Sequence, residues 1–201
     1  LQGVKVLAGD YQEKQLAERM DKPQLVGDIV THWLKLAERR KTVVFAVDVA
    51  HSVHIRDEFK RASVNAEHID GDTPLDERAG ILKRLSNGNV EVVSNCMVLT
   101  EGWDQPDVSC IVLARPTKNM GLYRQMIGRV LRPWEGKANA LVLDHAGCTF
   151  QHGFAEDRVG WTLDENKRAA SREHSARQES HKTKMTTCPE CKAVRLSGAP
   201  C

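Results

Sequence analysis

Apolar runs and amphipathic stretches alternate along this chain. Thr42-Val43-Val44-Phe45-Ala46-Val47 is continuously apolar and rich in β-branched residues, which predicts a strand buried on both faces. Val64 to Ile69, Val90 to Val93, Val108 to Leu113 and Ala138 to Leu143 predict four more strands. Pro23 to Arg40 places Leu25, Ile29, Trp33 and Leu36 at helical spacing, so a helix is expected there with Trp33 in the core. A shorter charged helix, Glu13 to Met20, precedes it. Ser52 is expected to cap a helix running to about Ala62. Another helix starts at Thr73-Pro74, where proline is tolerated in the first turn, and stops at Asn87-Gly88. Strands alternating with helices imply crossover connections, hence an α/β fold with a parallel sheet covered by helices on both faces. Ligands of such sheets bind at the carboxyl ends of the strands. Asp48, Asp70, the Ser94–Asp104 loop and Arg115 all follow strands and are expected along one edge.

After the fourth strand, Tyr123 to Arg132 carries the pattern Q-x-x-G-R-x-x-R. On a helix, Gln125, Gly128, Arg129 and Arg132 share one face, and Met126, Ile127, Val130 and Leu131 fall largely on the other. Glycine inside a helix costs about 1 kcal/mol against alanine. It makes sense where something bulky approaches the backbone. Two guanidiniums in register suit a polyphosphate, because each offers a planar fork of donors. The plainer reading of the same pattern is a solvated basic face. In the loop upstream, Gly102 permits a tight backbone and Asp104 can accept from a ribose hydroxyl. Ser94, Thr100 and nearby backbone amides can meet a nucleic-acid phosphate. Taken alone, that loop also reads as a long turn whose Gly and Asp merely satisfy geometry.

The order of these stretches resembles the second RecA-like domain of superfamily 2 helicases, over about Lys41 to Leu143. Ser94–Asp104 is similar to helicase motif V, Gln125–Arg132 to motif VI, and Val43–Val47 with its turn to motif IV. Thr-Glu-Gly-Trp-Asp, Ala-Arg-Pro-Thr and Tyr-Arg-Gln-Met-Ile-Gly-Arg are similar to the bacterial and phage branch that includes RadD-like proteins and restriction-enzyme motors. Two positions depart from the pattern. Ser94 stands where many members open motif V with threonine, and Glu101 stands where RNA helicases often carry arginine.

The resemblance implies roles. Arg132 would be the arginine finger on the γ-phosphate of ATP, and Arg129 would contact the same phosphate or hold the finger. Gln125 would orient groups near the attacking water, and Gly102 and Asp104 would line the nucleotide side of a cleft. Ser94, Thr100, Val47-Asp48 and Gly71-Asp72 would track a nucleic-acid backbone, DNA in preference to RNA, in a sequence-independent and salt-sensitive way. ATP with magnesium would be held mainly by an N-terminal RecA-like domain of the same protein. Its G-x-x-x-x-G-K-[S/T] loop and Asp-Glu pair are not found in this sequence. The chain alone is therefore expected to be inactive. The rival from another class is a non-catalytic docking module on the same fold, with zinc as its main cofactor. Retention of Gln125, Arg129 and Arg132 together favours the motor. A further rival is a translocase that does not separate strands.

Composition adds bounds. The 201 residues suffice for one sizeable core and an appendage. With 41% hydrophobic and 28% charged residues and a net charge of +2, nucleic-acid binding must come from local patches. No apolar run is long enough to span a membrane. The start at Leu1, without a secretory signal, is expected of an excised fragment of a cytoplasmic bacterial or phage protein. The expected organisation is a helical lead-in over 1–40, a RecA-like domain over 41–163, a charged linker or helix over 164–187, and a partial zinc ribbon over 188–201. Cys188 and Cys191 form a C-x-x-C knuckle, and Cys201 adds a third thiolate; the alternative is an unstructured thiol-bearing tail. Asp144-His145 reads as a structural polar pair, and His51 and His54 as solvated or facing nucleic acid. Trp103 is expected to pack its loop, Trp134 and Trp161 to cover the sheet edge, and Val159–Leu163 to add a small strand.

Overall fold

In the computed structural model, which describes residues 3–157, 185–189 and 194–196, the apolar runs become strands. A small hairpin, β1 (Val6–Leu7) and β2 (Asp10–Tyr11), leads into α1 (Glu13–Met20) and α2 (Pro23–Leu36). Then follow β3 (Thr42–Phe45), α3 (Val49–Arg61), β4 (Ala66–Ile69), α4 (Leu75–Ser86) and β5 (Val92–Asn95). A 3-10 turn (Val98–Thr100), β6 (Cys110–Leu113), α5 (Met120–Val130) and β7 (Leu141–Asp144) complete a first compact unit, Leu1–Ala146. A second unit, Gly147–Cys201, contains α6 (Cys148–His152) and an antiparallel pair, β8 (Met185–Thr187) with β9 (Val194–Leu196).

The five strands of the first unit are all parallel, in the order β4-β5-β3-β6-β7. Thr42 stands level with Val92 on one side and Cys110 on the other, so the strands that carry the candidate residues end together. α2 is part of this core. Val26, Ile29, Val30 and Trp33 are buried with Val44, Phe59 and Val112. The Trp33 ring meets Phe59 edge-on at 5.3 Å, and its indole N–H donates to Thr42 Oγ1 at 2.7 Å. A buried tryptophan that pairs its N–H loses nothing to desolvation. No helix among the described residues is long and apolar enough to cross a membrane.

Several boundaries differ from the sequence expectation. α2 stops at Leu36, because Glu38 and Arg39 both turn left-handed. The cap of α3 is Asp48, whose carboxylate accepts from His51 N–H at 2.8 Å; Ser52 lies one turn inside and is buried. The β ladder of β5 begins at Val92 and runs through Asn95, so Ser94 belongs to the sheet rather than to the loop. α5 ends at Val130, two residues short of Arg132. Pro133 disfavours helical backbone at Arg132, and Leu131 is left exposed instead of packing. Trp134, expected as cover, is 55% exposed. His51 is buried, not solvated, and its Nδ1 accepts from Val47 N–H at 3.3 Å. His54 sits 2.6 Å from the Asp21 carboxylate. Trp161, Cys191, Cys201 and the stretches 159–163 and 164–184 lie outside the described residues.

The Asp144-His145 pair is structural in its contacts. Asp144 accepts from Ala146 N–H at 3.2 Å, and the His145 ring lies 5.1 Å from that of His32. Burial, followed by the neighbouring His32, pushes the His145 imidazole down to about 4. Burial also lowers His51. A histidine whose folded value lies below its unfolded 6.5 contributes stability that is complete above 6.5 and lost as pH falls toward 4. The urea midpoint should therefore drop between pH 7 and pH 4.5. His145→Gln should flatten part of that drop, leaving the share due to His51; an unchanged pH slope would remove His145 from this role.

Candidate functional site

Between β5 and β6 the backbone follows no regular ladder, so its polar groups need other partners. Asn95 closes the start: its amide donates to Val44 O at 2.9 Å and its carbonyl oxygen accepts from Leu99 N–H at 3.1 Å. Met97 turns the chain in the left-handed region at φ 59°, a conformation that costs a non-glycine residue roughly 1 kcal/mol. Gly102 at φ 73° makes the next reversal without that cost. Thr100 Oγ1 donates back to Met97 O at 2.7 Å, and the buried Trp103 donates its indole N–H to Leu99 O.

The outer carbonyls of this loop are held by cations from α5 and the residues after it. Arg129 Nε donates to Thr100 O at 3.0 Å, and its Nη2 donates to the same oxygen at 2.5 Å. Arg129 Nη1 donates to Trp103 O at 2.7 Å, and the guanidinium lies 6.0 Å from the centre of the Trp103 ring. Arg132 Nη1 donates to Trp103 O at 3.2 Å and to the Asp104 carboxylate at 2.5 Å. Gln125 donates to the Glu101 carboxylate at 3.2 Å. Gln125, Arg129 and Arg132 thus all face the stretch that carries Gly102 and Asp104, as their spacing implied.

The two arginines are held differently. Arg129 is partly buried, and burial, with Arg132 close by, lowers its pKa. Arg132 has 36% of its side chain exposed, and its Asp104 partner has 79%. Gly128, directly before Arg129, is exposed, with open space where a Cβ would point.

Lys137 was not anticipated from the sequence. Its ammonium reaches Pro106 O at 3.0 Å, Val108 O at 2.6 Å, Val130 O at 2.6 Å and Arg132 O at 3.0 Å. It ties the end of the loop to the end of α5, where a cation also meets the negative pole of the helix. A lone lysine after Gly136 carries no pattern that would have revealed this.

The anticipated backbone-tracking residues are less uniform. Ser94 is fully buried; its hydroxyl donates to Ser52 O at 2.7 Å and accepts from Ser52 Oγ at 3.0 Å. Val47 and Thr100 are also buried. Asp48 spends a carboxylate oxygen on capping α3. Gly71 lies on an exposed turn in which Asp70 Oδ1 accepts from Asp72 N–H at 3.0 Å and Thr73 N–H at 2.9 Å. The hydrogen bond from His68 is the largest influence that lowers the Asp70 carboxyl. Cys96 and Met97 are the residues that leave the sheet after β5, and Met97 is exposed.

Residues 21–133, more than half of the chain, match the family described as the helicase conserved C-terminal domain. The chain belongs to that family. This helicase C-terminal domain is 35% identical over 152 residues to a candidate ATP-dependent helicase of Saccharomyces cerevisiae, IRC3, covering 74% of the chain and 22% of the yeast protein. Its fold is similar to a fragment of an HsdR subunit of a type I restriction enzyme from Vibrio vulnificus YJ016, at TM-score 0.58 and 24% identity, covering 75% of this chain and 31% of that one. It is also similar to the ATP-dependent Type ISP restriction-modification enzyme LlaBIII bound to DNA, at TM-score 0.52 and 22% identity, covering 66% of this chain and 11% of that one. The chain thus spans about a fifth of the yeast relative's length.

In this helicase C-terminal domain, loss of Arg129 removes the donors on the part-buried Thr100 carbonyl and the shorter of the two on Trp103 O, whereas loss of Arg132 mainly removes an exposed ion pair. Charge-assisted hydrogen bonds contribute about 1.5–3 kcal/mol and exposed pairs about 0–1 kcal/mol. Arg129→Ala should lower unfolding stability by about 2 kcal/mol. Arg132→Ala should stay within about 0.5 kcal/mol of wild type in the same urea titration. Equal effects would contradict this division.

Proposed function

We propose that the chain is the C-terminal motor half of an ATP-dependent helicase or translocase that acts on DNA, with Arg132 as its arginine finger. The observation that carries this is the unequal anchoring of the two arginines. Arg129 is fixed to the loop through Thr100 O and Trp103 O, while Arg132 is held chiefly by the exposed Asp104. A finger must reach a phosphate that arrives with another domain, so it has to be placed by a rigid neighbour and yet be free to leave its resting partner. A triphosphate is a stronger partner for a guanidinium than one exposed carboxylate.

In this account ATP and magnesium are held mainly by an N-terminal RecA-like domain of the full-length protein. The exposed notch at Gly128 lets that nucleotide approach α5 between Gln125 and the arginines. Gln125 orients the groups around the attacking water, and Gly102 and Asp104 line the wall. Charge that redistributes onto the phosphate oxygens in the transition state meets a guanidinium already positioned there. Cleft closure on ATP and opening after hydrolysis moves one nucleic-acid grip against the other. On this half the grip centres on the carboxyl edge of the sheet, through the exposed Gly71 turn and backbone amides near Asp48 and Met97. Ser94, Val47 and Thr100 shape that edge from inside. Glu101 in place of an RNA-helicase arginine supports DNA over RNA.

Arg132→Ala in the full-length protein should reduce DNA-stimulated ATP turnover by about 10³–10⁵-fold. Affinity for single-stranded DNA should stay within a few-fold, read by fluorescence anisotropy. Turnover near wild type would remove Arg132 from catalysis.

Zinc is proposed for the C-terminal hairpin. Cys188 directly follows β8 and is buried, and Cys191 stands three positions further on in the sequence, the spacing of a thiolate knuckle. Cys201 would add a third thiolate. Metal analysis of the full-length protein should find stoichiometric zinc, lost in Cys188→Ser; a zinc-free wild type would refute the site.

A further inference from the structure

Residues before position 21 lie outside the family match, yet they reach the connection that leads into the helix carrying Gln125 and Arg129. β1 and β2 form a hairpin turned by Ala8 and Gly9, both left-handed, and its Val6 and Leu7 are exposed. Little apolar burial holds it. The attachment is polar and centred on Asp10. One carboxylate oxygen accepts from Thr117 Oγ1 at 2.7 Å, and the other accepts from Lys118 N–H at 2.8 Å. Arg115 Nη2 stands 3.9 Å away, and the Lys118 ammonium lies 5.3 Å from the centre of the Tyr11 ring.

Thr117 passes the contact on. It is fully buried, and its hydroxyl oxygen accepts from Asn119 N–H at 3.0 Å while its proton goes to Asp10. Asn119 is the cap of α5, its side chain accepting from Leu122 N–H at 3.1 Å. A continuous chain of hydrogen bonds therefore runs from Asp10 to the first turn of the helix whose last turns present Gln125 and Arg129. The far end of α5 is fixed by Lys137. The near end is fixed by Asn119 and, through Thr117, by a carboxylate from outside the family core.

We propose that Asp10 is a positioning residue for the arginine helix. By fastening the N-terminal hairpin to the β6–α5 connection, it sets where α5 begins, and so where Arg129 and Arg132 stand against the 98–105 loop. This rests on the motor function proposed above, but the hydrogen-bond chain can be tested without it.

In the chain itself, Asp10→Ala should speed amide hydrogen exchange at Asn119 and Leu122 by about tenfold, the equivalent of one ordinary hydrogen bond. Exchange in the central strand β3 should not change. In the full-length protein, Asp10→Ala should lower kcat for ATP by about 10–100-fold, as small misplacements of catalytic groups do, with little change in KM. Asp10→Asn retains an acceptor and should recover most of both effects. Unchanged exchange at Asn119 and Leu122 would overturn the proposal whatever the activity. So would a loss of kcat that only follows a loss of folded protein in a thermal melt, or a kcat within twofold of wild type while Arg132→Ala is inactive. If Arg132→Ala were itself active, the motor function would fail, and the exchange result would still decide the role of Asp10.

Discussion

Cations on backbone carbonyls are the constraint on which this domain's site depends. The stretch from Met97 to Val108 leaves the sheet without a ladder to satisfy it, and a bare carbonyl in partly buried surroundings costs more than a made hydrogen bond returns. Arg129 takes Thr100 O and Trp103 O, and Lys137 takes Pro106 O and Val108 O. The same two cations also belong to α5 and its exit, so loop and helix are locked as one piece. Asp104, Gly102 and the arginines hold a fixed geometry because each is mounted on the other's support.

That arrangement gives one motif two mechanical roles. Arg129 is structural in what it touches here, with its donors turned onto protein. Arg132 comes after the helix has ended, beyond Val130, on a segment whose exposed Leu131 and Trp134 flank it. An early helix end at Pro133 is what releases the second arginine from the rigid row. Had α5 continued for another turn, both guanidiniums would be equally bound to its axis.

Much of this was legible in the sequence because the relevant periodicities are strong. β-Branched runs such as Thr42–Phe45 have few alternatives to a buried strand, and the four-residue spacing of Gln125 and Arg129 sets their common direction on α5. Trp33 fell in the core as its helical spacing required. Boundaries were less legible, because they depend on partners distant in the chain. Ser94 looks like a loop residue until β3 and β4 are seen to pair alongside it. His51 looks solvated until Val47 N–H is found to need its Nδ1. Ser52 and Asp48 are both good caps by type, and only the helix start chooses between them. Lys137 and Asp10 act through contacts of long sequence separation, which no local pattern encodes.

The central claim is that Arg132 exchanges a resting carboxylate for a phosphate while Arg129 stays on the loop. The most direct test is a structure of the full-length protein with magnesium and a transition-state analogue of ATP hydrolysis. The account predicts the Arg132 guanidinium about 3 Å from the analogue of the transferred phosphate and away from Asp104, with Arg129 still donating to Thr100 O and Trp103 O. Arg132 remaining on Asp104 in the closed, analogue-bound state would contradict it.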